Sequence, residues 1–185
     1  MRLKRGALLV VLAAGLSSAA KPRKTAPAIA NLRMVDEGVY RGAQPSGRGW
    51  AALKALGVKT IVKLDLPSEG SDAEAEKLGI TVIDAWGPPS DLGSVYGAPR
   101  PEKIRRAVEA LSDPKLRPIF VHCLHGEDRT GLIVGLYRVL HDGYKKEDAY
   151  AEMRAAGFHP VLHGLHEIWE EFDGKTLPGT KGDKP

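Results

Sequence analysis

The chain has 185 residues, 43% of them hydrophobic and 27% charged. That is enough for one domain with its own core, too little for two, and excludes collagen-like and wholly disordered chains. Its 27 basic residues against 23 acidic give a net charge of +4, but Arg2, Lys4 and Arg5 crowd the N-terminus. Without these three, 24 face 23, a net of +1 that speaks against nucleic-acid or anionic-membrane binding, which needs a concentrated basic face.

The first residues have the layout of a secretory signal: basic Met1 to Arg5, an apolar run from Gly6 to Leu16, then small Ser17-Ser18-Ala19-Ala20. The run is short for a bilayer span, which wants about 20 apolar residues. A signal peptide over residues 1–20, cleaved after Ala20, is therefore expected, with a retained membrane anchor as the alternative. After cleavage no stable membrane insertion is expected. Residues 21–30, built of Lys, Pro, Thr and Ala, read as a flexible leader.

A domain is expected over residues 31–173. Gly38 to Arg41 reads as a short strand before a turn-prone stretch, and Trp50, Leu53, Ala55 and Leu56 as a helix stopped by Gly57. Val58 to Leu64 is a Val/Ile-rich strand, Ser71 to Leu78 a short polar helix, and Ile80 to Ile83 another strand. Residues Ala85 to Pro101 are dense in Gly, Pro and Ser, long for a plain connection, and read as a lid over a site. Ile104, Val108 and Leu111 mark a helix, and Pro118 to His122 a strand. Leu132 to Leu140 form a largely buried helix ending at Gly143. Ala149, Met153 and Ala156 give one further helix, Leu162 to Phe172 another with Pro160 near its start, and residues 174–185 a flexible tail. Strands alternating with helices imply an α/β fold, a central mostly parallel sheet flanked by helices, with ligands beyond the carboxyl ends of the strands.

Cys123 stands at such an end. A lone cysteine excludes an intramolecular disulfide framework and, taken by itself, reads as a small buried hydrophobe. Its neighbours argue otherwise. The residues from Cys123 to Thr130 join a strand to a helix expected to begin at about Thr130, with Gly126 where the backbone needs a positive φ or close approach. Free N–H groups at a helix start and the helix dipole favour an anion, and the same field favours thiolate over thiol. Arg129 adds a rigid fork for two phosphoryl oxygens, which lysine does not reproduce. Thr130 offers a hydroxyl either to the Cys123 sulfur or as a helix cap.

Val121-His122-Cys123-Leu124-His125-Gly126-Glu127-Asp128-Arg129-Thr130-Gly131 fits Cys-x5-Arg and resembles the dual-specificity branch of the protein tyrosine phosphatase superfamily. Val39 to Pro45, Leu56 to Val62 and Tyr137-Arg138 resemble its bacterial and atypical members, so the resemblance runs over residues 31–170. It implies hydrolysis of phosphate monoesters in two steps without metal or cofactor. Cys123 is the nucleophile, Leu124, His125, Gly126, Glu127, Asp128 and Arg129 hold phosphate, and His122 supports the loop. Splitting one displacement into two is the gain of covalent catalysis. The family's general acid comes from a mobile loop some thirty residues before the cysteine, which points to Asp91, with Asp128 and Asp84 as alternatives.

A phosphorylated protein or another accessible phosphomonoester is the expected substrate, and the chain is expected to act as a monomer. Glu127 and Asp128 should repel crowded inositol phosphates unless Arg41, Arg100, Arg105 or Arg106 line the mouth. A phosphoinositide or inositol phosphate phosphatase stays open as an alternative, as does a non-catalytic phosphate-binding module. Sulfur or arsenate redox chemistry is disfavoured because no second cysteine can resolve an intermediate. His159, His163 and His166, near Glu167 and Glu170, have partial metal-ligand spacing, but Pro160 places His159 outside the helix, so surface or core histidines are expected.

Overall fold

The computed structural model describes residues 27–86 and 99–177. Five strands form one sheet in the order β1-β2-β5-β3-β4: β1 Arg33–Asp36, β2 Val39–Ala43, β3 Thr60–Lys63, β4 Thr81–Asp84 and β5 Ile119–Cys123. β1 runs antiparallel to β2, and every other neighbouring pair is parallel. The described helices are α1 Arg48–Ala55, α2 Ala73–Lys77, α3 Pro101–Ser112, α4 Asp128–Leu140, α5 Lys146–Ala155 and α6 His163–Glu171, with a 3-10 turn at Pro114–Leu116.

Side chains alternate across the strands and so feed two separate layers. Val62, Ile119 and Val121 join Val39 and Leu64 against Ile104, Val108 and Leu111 of α3 and Leu132, Ile133 and Leu136 of α4. Their neighbours Ile61 and Phe120 point the other way, onto Trp50 and Leu53 of α1. Burying each such side chain is worth roughly 1.5–3 kcal/mol. β5, buried at every position although it carries His122, is the central strand of a doubly covered sheet.

Several expected boundaries move. β1 escapes the pattern of the sequence because only Val35 of Arg33-Met34-Val35-Asp36 is buried, and its pairing with β2 rather than its own periodicity makes it a strand. α4 begins at Asp128 instead of Thr130, and α6 begins at His163 with Leu162 as its N-cap, so Pro160 lies in the preceding turn. The leader expected over residues 21–30 gives its last residues to the domain: Ile29 is only 2% exposed, and Ala30 accepts a hydrogen bond from the Ala43 N–H. At the other end, Leu177 packs against the core, so the expected tail starts later than residue 174. The expected signal segment and residues 87–98 of the expected lid lie outside the described residues. No helix among the described residues is long and apolar enough to cross a membrane.

α4 is buried from Thr130 to Tyr137, and α5 and α6 reach it across Gly135, where an added Cβ would overlap the Met153 sulfur and press on the Trp169 ring. The carboxyl ends of β3 and β5 are locked by a second device. His122, fully buried, holds Asp72 through Nε2 at 3.0 Å and faces Asp65 through Nδ1 at 3.4 Å. Burial pushes the His122 imidazole towards the neutral form, but the neighbouring Asp65 carboxylate and the hydrogen bond to Asp72 outweigh it and raise its pKa. Burial likewise raises the Asp72 carboxyl, and the bonds from His122 and Gln44 more than reverse that, leaving it lowered.

Two outcomes follow from this packing. Gly135→Ala should cost about 1–3 kcal/mol by overpacking, read as a lower urea midpoint at constant m-value. The raised histidine contributes stability fully present below its ordinary pKa of about 6.5 and lost as pH rises through the native value, while the lowered Asp72 contributes stability lost below about 4. Urea midpoints should therefore fall from pH 6.5 towards pH 9, and Asp72→Asn should flatten that alkaline decline; an unchanged slope in the variant would show that His122 holds no extra proton in the native state.

Candidate active site

Cys123 ends β5 and is 4% exposed. β5 lies between β2 and β3, so the loop after it is flanked on both sides. On the β2 side, three consecutive loop carbonyls are held from behind. Leu124 accepts from the Gln44 N–H at 3.3 Å, His125 from Asn31 Nδ2 at 3.0 Å and Gly126 from Arg41 Nη2 at 2.8 Å. A planar peptide carries its N–H opposite its C=O. Pinning these carbonyls towards β2 therefore turns the N–H groups of His125, Gly126 and Glu127 the other way. Among the described residues these three N–H groups donate to nothing. With the open first turn of α4 they leave backbone donors free in the loop that follows Cys123, an arrangement that favours an anion.

Gly126 has φ 71°, and a Cβ there would overlap the Gly42 carbonyl group. Both the positive φ and the contact require glycine at this position, in agreement with the expected positive φ. The close approach is to β2.

Arg129 is the second residue of α4. Its guanidinium forks onto Glu69, Nη1 to Oε2 at 2.5 Å and Nη2 to Oε1 at 2.9 Å, donates to the Leu64 carbonyl at 3.2 Å and lies 5.6 Å from the centre of the Trp86 ring. Glu69 is itself fixed by the Leu66 N–H at 2.7 Å. Burial opposes both charges, yet their mutual bonds win, so the Glu69 carboxyl is lowered and the Arg129 guanidinium raised. Arg129 is also electrostatically coupled to Cys123.

The acidic residues of the loop turn out to be occupied. Glu127 Oε1 accepts from Asn31 Nδ2 at 3.1 Å, and its stem packs against Gly157. Asp128 Oδ1 accepts from the His159 N–H at 2.8 Å and lies 3.0 Å from His159 Nδ1. Asp84 Oδ1 accepts from the Trp86 N–H at 3.1 Å, which caps the chain's departure from β4. Asp91 lies outside the described residues. Thr130 does not cap α4, whose N-cap is Glu127; its hydroxyl is fully buried and has no hydrogen-bond partner among the described residues. His122 supports the loop indirectly, through Asp65 and Asp72, and Asp72 in turn accepts from Gln44 Nε2 at 2.8 Å.

His159, His163 and His166 do not converge. His166 pairs with Glu170 at 3.4 Å, whereas His159 gathers with Glu127 and Asp128, their ligand atoms within 4.8 Å of one another. Arg41 does not line the mouth; it is 1% exposed beneath the loop. Arg100 pairs with Glu102 at 3.8 Å at the start of α3. The sequence reading missed Asn31, Asp65, Glu69, Asp72 and Trp86. The available signal was their position: the acids follow β3 and Trp86 follows β4, at the carboxyl ends where ligands bind.

The dual specificity protein phosphatase TpbA of Pseudomonas aeruginosa is 30% identical over 128 residues, 69% of this chain and 55% of that protein. Inositol diphosphatase DSP2 of Oryza sativa subsp. japonica is 31% identical over 113 residues, 60% of this chain and 54% of that protein. The chain thus spans about half the length of the curated relatives it matches. Among solved structures, P. aeruginosa TpbA aligns with a TM-score of 0.64 at 24% identity, covering 85% of this chain and 93% of that one. The core catalytic domain of the PP-IP phosphatase SIW14 from S. cerevisiae aligns at 0.66 and 21%, covering 83% and 91%. These likenesses show the cysteine-phosphatase fold. Residues 25–163, well over half of the chain, match the model of the family described as DSP-PTPase phosphatase fused to NAD+ kinase, and the chain belongs to that family of dual-specificity-type phosphatases.

Proposed function

We propose that this chain hydrolyses phosphate monoesters through a cysteinyl-phosphate intermediate. The observation that carries this reading is the nest over Cys123, with loop carbonyls pinned towards β2 and the Arg129 fork anchored on the β3 side. The Cys123 thiolate attacks phosphorus and the P–O bond to the leaving group breaks, with a carboxylic acid giving its proton to the departing oxygen. Water then attacks phosphorus, giving a proton to the carboxylate left by the first step and so restoring the acid, the S–P bond breaks, and inorganic phosphate leaves with the thiolate restored. The N–H groups and Arg129 stabilise charge on the equatorial oxygens, the kind of preorganised contact worth about 10²–10³ in rate per donor.

Asp91 is the proposed acid. The engagement of Asp128 by His159 and of Asp84 by the Trp86 N–H supports that choice over its rivals. Glu69 is proposed to aim Arg129. The buried Thr130 hydroxyl is proposed to assist sulfur as the thiolate departs in the second step.

For substrate, a single accessible phosphomonoester such as phosphotyrosine is the first reading, because Glu127 and Asp128 add two acids to the loop itself, even with Asn31 and His159 engaging them. The named relatives include both a dual specificity protein phosphatase and inositol diphosphatases, which keeps inositol phosphates as the second reading. The basic, apolar and small-residue layout of residues 1–20 supports export of the domain, as a monomer in this reading.

Phosphate release by the mature form should be abolished in Cys123→Ser and persist with chelator present; turnover surviving Cys123→Ser would remove the reading. Arg129→Lys should lose about 10²–10³ in kcat/KM. Glu69→Gln should lose roughly tenfold, equivalent to about 1.4 kcal/mol. Asp91→Asn should lower kcat by about 10²–10⁴ and erase the alkaline limb of its pH profile; a variant with full activity and an intact profile would return the role to Asp128 or Asp84.

A further inference from the structure

Arg41 carries a charge that nothing in the reading above uses. It sits in β2, in register with Val121 and two residues before Ala43, which pairs with Cys123. Its side chain is 1% exposed. Nη2 is bonded to the Gly126 carbonyl, while Nε and Nη1 are buried with no hydrogen-bond partner among the described residues. Desolvation lowers its pKa to about 10, which still leaves it protonated at neutral pH. Glu152 attracts it, but that carboxylate is already forked onto Arg138 at 2.9 and 3.2 Å, and Arg33 and Arg138 repel it. A buried cation without its own counter-ion is unfavourable unless an anion arrives. Cys123 is the further anionic group whose attraction Arg41 feels.

We propose that Arg41 is a positioning residue for the phosphoryl-transfer site: from beneath the loop it holds the Gly126 carbonyl out of the nest and sets fixed positive charge behind Cys123, so that ionised sulfur and bound phosphate complete its unmet pairing. The inference rests on Cys123 being the nucleophile. Arg129, anchored beyond β3, and Arg41, rising from β2, then flank the sulfur from the two strands that border β5. Of the remaining charged groups around the site, Glu69 pairs with Arg129, His122 with Asp65 and Asp72, and Asp128 with His159, while Glu127 accepts from Asn31. Lys63 is tied to the Gly70 carbonyl, and His125 lies in the loop itself.

The test follows alkylation of Cys123 by iodoacetamide against pH, together with kcat and KM on p-nitrophenyl phosphate. It uses Arg41→Gln, which keeps a donor for Gly126 but drops the charge, and Arg41→Lys, which keeps the charge but loses the fork. Arg41→Gln should move the alkylation midpoint upward by about one pH unit, so that alkylation at a fixed lower pH slows about tenfold, and kcat should fall by a similar factor. Arg41→Lys should hold the midpoint within about 0.3 unit while losing part of kcat/KM. A folded Arg41→Gln with an unchanged midpoint overturns the proposal. Where Arg41→Gln does not fold, a full-unit shift in Arg41→Lys overturns it and a retained midpoint supports it. Turnover surviving Cys123→Ser removes the underlying reading instead, whereas Cys123-dependent turnover with an unmoved midpoint removes only this inference.

Discussion

A loop that gathers N–H groups towards one point has to send its carbonyls somewhere else, because each peptide carries the two in opposite directions. Here the somewhere is β2 and the residues before it. Gln44, Asn31 and Arg41 receive the carbonyls of Leu124, His125 and Gly126 in succession. The two backbones approach so closely at Gly126 and Gly42 that a single methyl at Gly126 would overlap the opposing chain. The parallel pairing of β2 with β5 sets that approach, and the antiparallel β1 and the packed Ile29 complete the seat. The orientation of the loop's N–H groups is therefore a property of two chain segments some eighty residues apart.

The same economy governs charge. Carboxylates crowd this end of the sheet, and the described ones are committed: Glu69 to Arg129, Asp72 and Asp65 to His122, Asp128 to His159 and Glu127 to Asn31. Pairing lowers the repulsion that a bare count of acids implies, and it fixes the orientation of the paired side chains. Arg129 illustrates the point. Its fork, its carbonyl contact and the Trp86 ring hold it from three directions, so its orientation is set before any phosphate enters.

Most of the fold was legible in the residues. The Val/Ile richness of Val58 to Leu64, the short apolar stretch from Pro118 to Val121 and the helical spacing around Leu132 to Leu140 located the elements that carry the core. What escaped was structure created by a partner. β1 is a strand because β2 lies beside it, and α6 starts at His163 because a turn from His159 to Leu162 intervenes after Pro160. The site divided along the same line. Cys123, Arg129 and Gly126 announced themselves through spacing, whereas Asn31, Glu69 and Asp72 carry no local pattern and acquire meaning only from distant neighbours.

The sequence by itself determined the family's signature: a lone cysteine, an arginine six residues on and a glycine between them at the start of a helix, since a tight strand-to-helix turn and a fixed spacing are local requirements met by residue type. Only the tertiary structure decided how those groups are held. Carbonyl orientation, the Glu69 fork and the buried, half-partnered charge of Arg41 depend on which strands lie on either side of β5, and strand order is fixed by the packing of the two sheet faces.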